Sequence, residues 1–252
     1  MKTMSRGLFI TGTDTGVGKT VVTAALLTLL RARGMDAVPM KPVQTGCRRT
    51  RGGLRAPDLD FVLRMAGLQP PTEELSWMCP YRFAPACSPH LAARLAHTRI
   101  RLARLRASFR RLGRRHACVL VEGAGGVLAP VGGRRTMLDV MSLLRLPVLL
   151  VARPGLGTIN HTLLSLAALR GAKLRIAGVV LVDTEPRRWG TLERENAAAI
   201  ARLGRVTILG RLPFLAGLDG TMAPAAFRAA VTQAARNWSE PPSGWPGIVD
   251  QN

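Results

Sequence analysis

Lys19 and Thr20 close the stretch GLFITGTDTGVGKTVV at residues 7–22, and a lysine followed by a hydroxyl at the end of a glycine-punctuated turn is suited to holding phosphate. The lysine can pair with β- and γ-phosphates, and the hydroxyl offers magnesium the hard oxygen it prefers. Counting back from Gly18 in the common G-x-x-x-x-G-K-[ST] pattern lands on Thr13, whereas the glycine is Gly12, so this loop is one residue longer. A second lysine, Lys41, opens Lys41-Pro42-Val43-Gln44-Thr45-Gly46. Glu122 opens a run with Gly123, Ala124, Gly125 and Gly126, and a carboxylate followed by glycines has the logic of a metal-side acid, because glycine lets backbone approach a ligand closely. Asp58 follows Pro57. From spacing alone it fits two roles equally, a metal-side acid or a carboxylate that favours the positive end of a helix dipole.

These residues need elements to hold them. Residues 8–10 read as a buried strand and 21–30 (VVTAALLTLL) as a helix, so the turn joins a strand end to a helix N-terminus, where unpaired N–H groups favour an anion. Residues 37–40 read as a second strand that delivers Lys41 and its neighbours to the carboxyl edge, the ligand-binding edge of an open α/β sheet. Residues 48–55 are basic and glycine-rich and are expected to be a mobile loop, and Pro57 then starts a helix carrying Asp58 in its first turn. Residues 80–89 read as a loop, with Ser88 as an N-cap and His90 as a local hydrogen-bonding group. Residues 99–115 place Leu102, Leu105, Phe109 and Leu112 at helical spacing between arginines, an amphipathic helix with a solvated basic face. Strands are expected at 117–121, 146–152, 176–182 and 206–209, with a loop at 153–161 and a helix through 169 between the second and third of these. Six strands alternating with helices argue a single doubly wound, mostly parallel α/β sheet of the P-loop NTPase type. Its domain is expected over residues 1–236, ending in a helix at 224–235, with an irregular Pro/Gly-rich tail at 237–252.

The chain has 252 residues, 47% hydrophobic, which suffices for one sizeable core. Its formal charge of +21 and pI near 11.7 ordinarily point to nucleic acid or anionic membranes. Here the excess is arginine scattered along helices, with a single tyrosine and few aromatics to stack bases, so no nucleic-acid partner is expected. Cys47, Cys79, Cys87 and Cys118 form no CxxC pair, which fits a reducing cytoplasm. No apolar run approaches the roughly 20 residues that span a bilayer, so a cytoplasmic protein without a membrane partner is expected.

Taken in order, GTDTGVGKT, KPVQTG, PDLDF, PYRF and SPH, VEGAGG and LGTINH resemble the dethiobiotin synthetases, P-loop ligases of biotin biosynthesis. The resemblance runs from about residue 8 to 215 and includes the lengthened loop. It implies a homodimer that converts 7,8-diaminononanoate, CO2 and ATP, with magnesium, into dethiobiotin, ADP and phosphate. It implies that Lys19 holds the phosphates and that Lys41 contacts the transferring phosphoryl and the carbamate. It also implies that Thr20, Asp58 and Glu122 ligate magnesium, which for Asp58 selects the metal role. Further nucleotide positions carried over are Gly16, Val17, Gly18, Val21, Gly123, Ala124, Gly125, Asp183 and Pro213. Substrate positions are Thr15, Thr45 and Asn160, the last reaching the site of the partner subunit.

Two departures from the family pattern stand out. Gly16 replaces an acid that faces the nucleotide in some members, which is a common variant. Val182 stands where many members place an adenine-reading asparagine, and loss of that amide implies a relaxed base preference. Two rival readings fit less well. A nucleotide-switched partitioning or scaffold ATPase carries a second lysine early in the loop, where this chain has Thr13, Asp14 and Thr15. An ammonia-using amidating enzyme needs a nucleophilic cysteine in a histidine-rich context, which none of the four cysteines has.

Overall fold

The structure, a computed structural model, describes residues 6–218 and 220–239. Strand β1 (Arg6–Gly12) feeds helix α1 (Lys19–Ala32) through the glycine turn. Strand β2 (Ala37–Met40) and the short β3 (Val43–Gln44) follow, then an antiparallel hairpin of β4 (Arg48–Thr50) and β5 (Gly53–Arg55). Helices α2 (Pro57–Met65) and α3 (Thr72–Met78) lead to β6 (Tyr81–Arg82), which pairs in parallel with β3. Helices α4 (Pro89–Leu95) and α5 (Leu102–Arg115) precede β7 (Cys118–Gly126). A second hairpin, β8 (Pro130–Gly132) and β9 (Arg135–Thr136), opens onto α6 (Met137–Leu144). The chain continues through β10 (Val148–Ala152), α7 (Thr158–Gly171), β11 (Ile176–Val182), α8 (Thr191–Gly204), β12 (Ile208–Leu212) and α9 (Pro224–Ala235).

Six of these strands form one sheet in the order β12-β11-β10-β1-β7-β2, with every pairing parallel. A parallel sheet is covered on both faces, so its strands are apolar throughout, and here alternate side chains enter two separate cores. Phe9, Val119, Val121, Val148 and Leu150 point to one core, where the apolar faces of α3, α5, α6 and α7 also meet. Leu8, Ile10, Leu120, Leu149 and Val151 point to the other, beneath α1, α2 and α9. Two-sided burial of this kind fixes the register, since a slip by one residue would exchange the contents of both cores. The β1 strand therefore lies rigidly at the centre, and the turn that follows it opens at the carboxyl edge of the sheet.

The six expected strands and the parallel, doubly wound α/β class are what the structure contains. Several local expectations change. Residues 48–55, expected as a mobile loop, form the β4–β5 hairpin, in which Thr50 Oγ1 donates to the Gly53 carbonyl at 2.9 Å and Arg55 pairs with Asp60 at 3.0 Å. Within the expected loop 80–89, Tyr81 and Arg82 pair as β6 because β3 offers a free edge. Glu122 is not at the end of its strand, which runs on to Gly126. Asn160 lies in the first turn of α7 rather than in a loop. Ser88 occupies the N-cap position of α4, but its hydroxyl meets His90 Nδ1 at 3.0 Å and makes no bond to the helix backbone. Helices α3 and α6 are not among the expected elements, although α6 buries Met137, Val140, Met141 and Leu144 at helical spacing. Of the expected tail, residues 240–252 lie outside the described residues. Trp238 is buried against Gly210, where any side chain would meet its ring, and Trp238 Nε1 donates to the Arg211 carbonyl at 3.1 Å.

Candidate active site

Helix α1 begins at Lys19 with no side-chain cap and no acid in its first turn. Its first N–H groups are therefore left for whatever fills the preceding turn, and the helix dipole favours an anion. Three close approaches shape the turn. A side chain at Gly12 would come within 2.6 Å of Val17, and one at Gly18 within 2.6 Å of Val182. Gly18 also adopts φ +95°, a left-handed conformation natural to glycine. Across the turn, β7 departs from its register with β1 between Ile10 and Gly12. This irregularity brings Gly126 against the backbone of Thr13, where an added Cβ would lie 3.2 Å from the Thr13 carbonyl oxygen.

A cavity of about 880 Å³ opens above this edge, near the upper end for a small-molecule site. Thr15, Gly16, Gly18, Lys19, Thr20 and Val21 form its floor, Lys41, Thr45, Asp58, Glu122, Ala124 and Gly125 one wall, and Asp183 and Pro213 the other. Val17 does not reach it, being buried beneath the turn, and Gly123 contributes only a carbonyl 3.4 Å from Lys41 Nζ. Asn160 is exposed on α7 and lies outside this cavity. Beside it, the N-terminus of α7 borders a second hollow of about 310 Å³ lined by Arg153, Leu156, Thr158, His161 and Arg187.

The centre of the first cavity is an ionic cluster. Lys41 Nζ lies 2.6 Å from Glu122 Oε1 and 2.8 Å from Asp58 Oδ2. Thr20 Oγ1 donates to the same Glu122 oxygen at 2.8 Å. Burial alone would discharge Lys41, but Glu122 and Asp58 outweigh it and raise its pKa above the usual lysine value. Burial likewise opposes the charge on Asp58, and Lys41, helped by Gln44 and Lys19, overcomes it and holds the carboxyl below its usual range. Glu122 thus links the Thr20 hydroxyl to an ammonium that Asp58 also reaches, so that oxygens from all three residues belong to one cluster. They are hard ligands of the type magnesium takes. Among the described residues no cluster of three or more His, Cys, Asp or Glu side chains could hold a metal, so a cation here depends on a hydroxyl, water and phosphate oxygens as well.

Lys19 differs. Its Nζ folds back on the Asp14 carbonyl at 2.7 Å, and burial, followed by the Lys41 charge, lowers its pKa to about 8. The unfolded chain keeps that lysine charged up to its ordinary value of 10.5, so between about 8 and 10.5 the unfolded state binds the extra proton and folding stability gains as pH rises. A triphosphate reverses the preference by supplying negative charge. Nucleotide binding at about pH 8.5 is therefore expected to take up a proton and to weaken at higher pH. Calorimetry in two buffers of different ionisation enthalpy measures this, and equal heats in both would refute it.

Several cavity residues were not expected to belong to the site. Gln44, Cys87, Ser88, Thr184, Phe214 and Leu215 all line it. Phe214 follows Pro213 and Thr184 follows Asp183, so strand-end neighbourhood was the signal available for those two. Asp183 is fully engaged: Trp189 Nε1 donates to one carboxylate oxygen at 3.0 Å and Arg211 Nε to the other at 2.6 Å.

The chain matches a family model described as an AAA domain over residues 6–222. It is 47% identical over 209 residues to an ATP-dependent dethiobiotin synthetase of Anaeromyxobacter dehalogenans strain 2CP-C, covering 83% of this chain and 90% of that one. It is 36% identical over 223 residues to an ATP-dependent dethiobiotin synthetase of Thermodesulfovibrio yellowstonii, covering 86% and 92%. Among solved structures it resembles the MinC:MinD cell division complex of Aquifex aeolicus, with TM-score 0.59, 15% identity and coverage of 92% and 95%. A ParA family ATPase of Chlorobium tepidum gives TM-score 0.57, 13% identity and coverage of 92% and 99%. At such identities the structural likeness establishes the shared fold alone.

Proposed function

The chain belongs to the ATP-dependent dethiobiotin synthetases, and we propose that the cavity beside α1 is where it closes the ureido ring of dethiobiotin. It is an ATP-dependent ligase of biotin biosynthesis. The observation that carries the site assignment is the convergence of Lys19, Lys41, Thr20, Asp58 and Glu122 on one cavity from four separate segments. The triphosphate lies along the turn at residues 12–20, its charge met by α1 N–H groups and by Lys19. One amine of 7,8-diaminononanoate adds to CO2 and loses a proton, giving a carbamate. A carbamate oxygen attacks the γ-phosphorus and ADP departs. The second amine then attacks the carbamoyl carbon, the ring closes and phosphate leaves.

Carbamate and triphosphate are both anions, so their approach needs cations in a water-poor site. Lys41 is the ammonium so placed, buried and charged. Thr20, Asp58 and Glu122 would hold magnesium, which when bound supplies charge neutralisation across the phosphates. Thr15 and Thr45 offer hydroxyls to the substrate from the floor and wall of the cavity.

Part of the substrate site is assigned to a second copy of the chain in a cytoplasmic homodimer, with Asn160 reaching the substrate of the partner subunit. Support comes from the exposed position of Asn160 on the first turn of α7, beside the hollow with Arg153 and Arg187, and from Leu156 and Leu164 nearby at 92% and 62% exposure. No described helix is long and apolar enough to cross a membrane.

The partitioning-ATPase reading rests on fold likeness alone. The loop here lacks the early lysine, and the relatives similar in sequence are ligases. The deciding assay supplies diamine, bicarbonate and ATP and measures dethiobiotin, ADP and phosphate. Equimolar formation of all three is expected, and ATP hydrolysis indifferent to the diamine would overturn the reading.

The base preference is expected to be loose. Val182 packs on Gly18 and offers no hydrogen bond, Asp183 is consumed by Arg211 and Trp189, and Pro213, Phe214 and Leu215 are apolar. A panel of triphosphates should give kcat/KM values within about ten-fold of one another, since each lost base-edge hydrogen bond is worth about 1 kcal/mol. A preference for ATP beyond about a hundred-fold would overturn the relaxed base preference.

A further inference from the structure

The charge of this protein is not evenly spread. Residues 75–121 hold ten arginines and no aspartate or glutamate. A taste for arginine over lysine exchanges one cation for another and leaves net charge unchanged, so the missing acids are what make the segment basic. Its centre is α5, which buries Leu105, Phe109 and Leu112 and turns its arginines outward.

Two rows result. Arg104 stacks on Tyr81 at 4.8 Å, and Arg111 and Arg115 on Trp77 at 5.4 and 4.5 Å, so these three are pinned to the protein. Arg106, Arg110 and Arg114 form a second row, exposed and without an ion pair among the described residues. They recur every four residues, a step of about 6 Å along the helix, and like charges at that spacing repel by about 0.2–0.5 kcal/mol per pair. Glu73 and Glu74, the acids that reach α5, are both engaged by Arg115 at its far end.

We propose that the Arg106–Arg110–Arg114 row of α5 binds the phosphate backbone of double-stranded nucleic acid without reading its bases. Guanidinium forks match phosphate oxygens in paired hydrogen bonds, and a row at this step can meet successive phosphates. Base recognition is excluded by the same face, because Trp77 and Tyr81 are already covered by arginines. An anionic membrane is the poorer match, since the apolar residues of α5 are committed to the core and have nothing to insert. No α5 residue lines the catalytic cavity, so the inference stands independently of the ligase reading.

The test compares two triple variants of equal charge change, R106Q/R110Q/R114Q on α5 and R202Q/R228Q/R236Q on other exposed surfaces. Binding of a fluorescent duplex of about 20 base pairs is followed by anisotropy against salt. Loss of three phosphate contacts should lower affinity at least about ten-fold at about 50 mM salt and reduce the slope of log K against log salt by about 2.7. The control triple should stay within about two-fold of the parent. The α5 triple should also melt no lower than the parent, because repulsion is relieved, and should keep ligase turnover. Equal losses in the two triples would mean that net charge alone acts, and would overturn the proposal. So would binding to phosphatidylserine vesicles with none to the duplex.

Discussion

Lys41→Met is expected to lower dethiobiotin formation by about 10³-fold, on the scale of losing one preorganised charge partner at the reacting centre. Methionine keeps the length of the stem and removes the ammonium that now lies 2.6 Å from Glu122 and 2.8 Å from Asp58. The loss should fall on kcat if, as proposed, the ammonium neutralises the developing charge of the phosphoryl transfer. A second effect distinguishes this variant. Glu122 has a side chain only 3% exposed and would be left without its cation, a change that typically costs about 3–5 kcal/mol in a buried pair. Asp58 is one-third exposed and pays less through water. The empty variant should therefore melt on the order of 10 °C lower. Magnesium nucleotide should restore part of that. Turnover above about a tenth of the parent value would remove Lys41 from the chemistry.

Lys19→Met should also cost about 10³-fold in turnover, with a weakened nucleotide affinity, but its stability should move the other way. Lys19 has no carboxylate within salt-bridge distance among the described residues, its Nζ resting on the Asp14 carbonyl while burial pushes its pKa down to about 8. Removing a desolvated cation with so little local compensation is expected to leave the empty protein as stable as the parent or slightly more so at neutral pH. Thermal melts of the two variants side by side, with and without nucleotide, separate the roles. Equal destabilisation by both substitutions would contradict the different environments that the structure gives these two lysines.

The two variants also show why one lysine was easier to place from sequence than the other. Lys19 sits in a loop whose pattern carries its own mechanism, since strand, glycines, lysine and hydroxyl are contiguous. Lys41 had only its location at a strand's carboxyl end, and its partners are 17 and 81 residues away, beyond the reach of any local pattern. Asp58 was ambiguous for the same reason. A first-turn carboxylate is common, and only proximity to Lys41 and Glu122 distinguishes this one.

The sequence by itself determined the six strands and the glycine turn ahead of α1, because period, glycine placement and apolar runs are local properties that the backbone must obey. It also carried the family resemblance, through motifs spread over most of the chain. Tertiary structure decided the rest. The 48–55 segment became a hairpin although its composition read as loop, since cross-strand bonds and the Arg55–Asp60 pair lie outside what composition encodes. It decided that Val17 faces inward, that Asn160 stands on a helix away from its own cavity, and that Asp183 is occupied by Arg211 and Trp189. Each of these depends on which distant segments meet, and that meeting is set by burial in two cores, whose partners come from opposite ends of the chain.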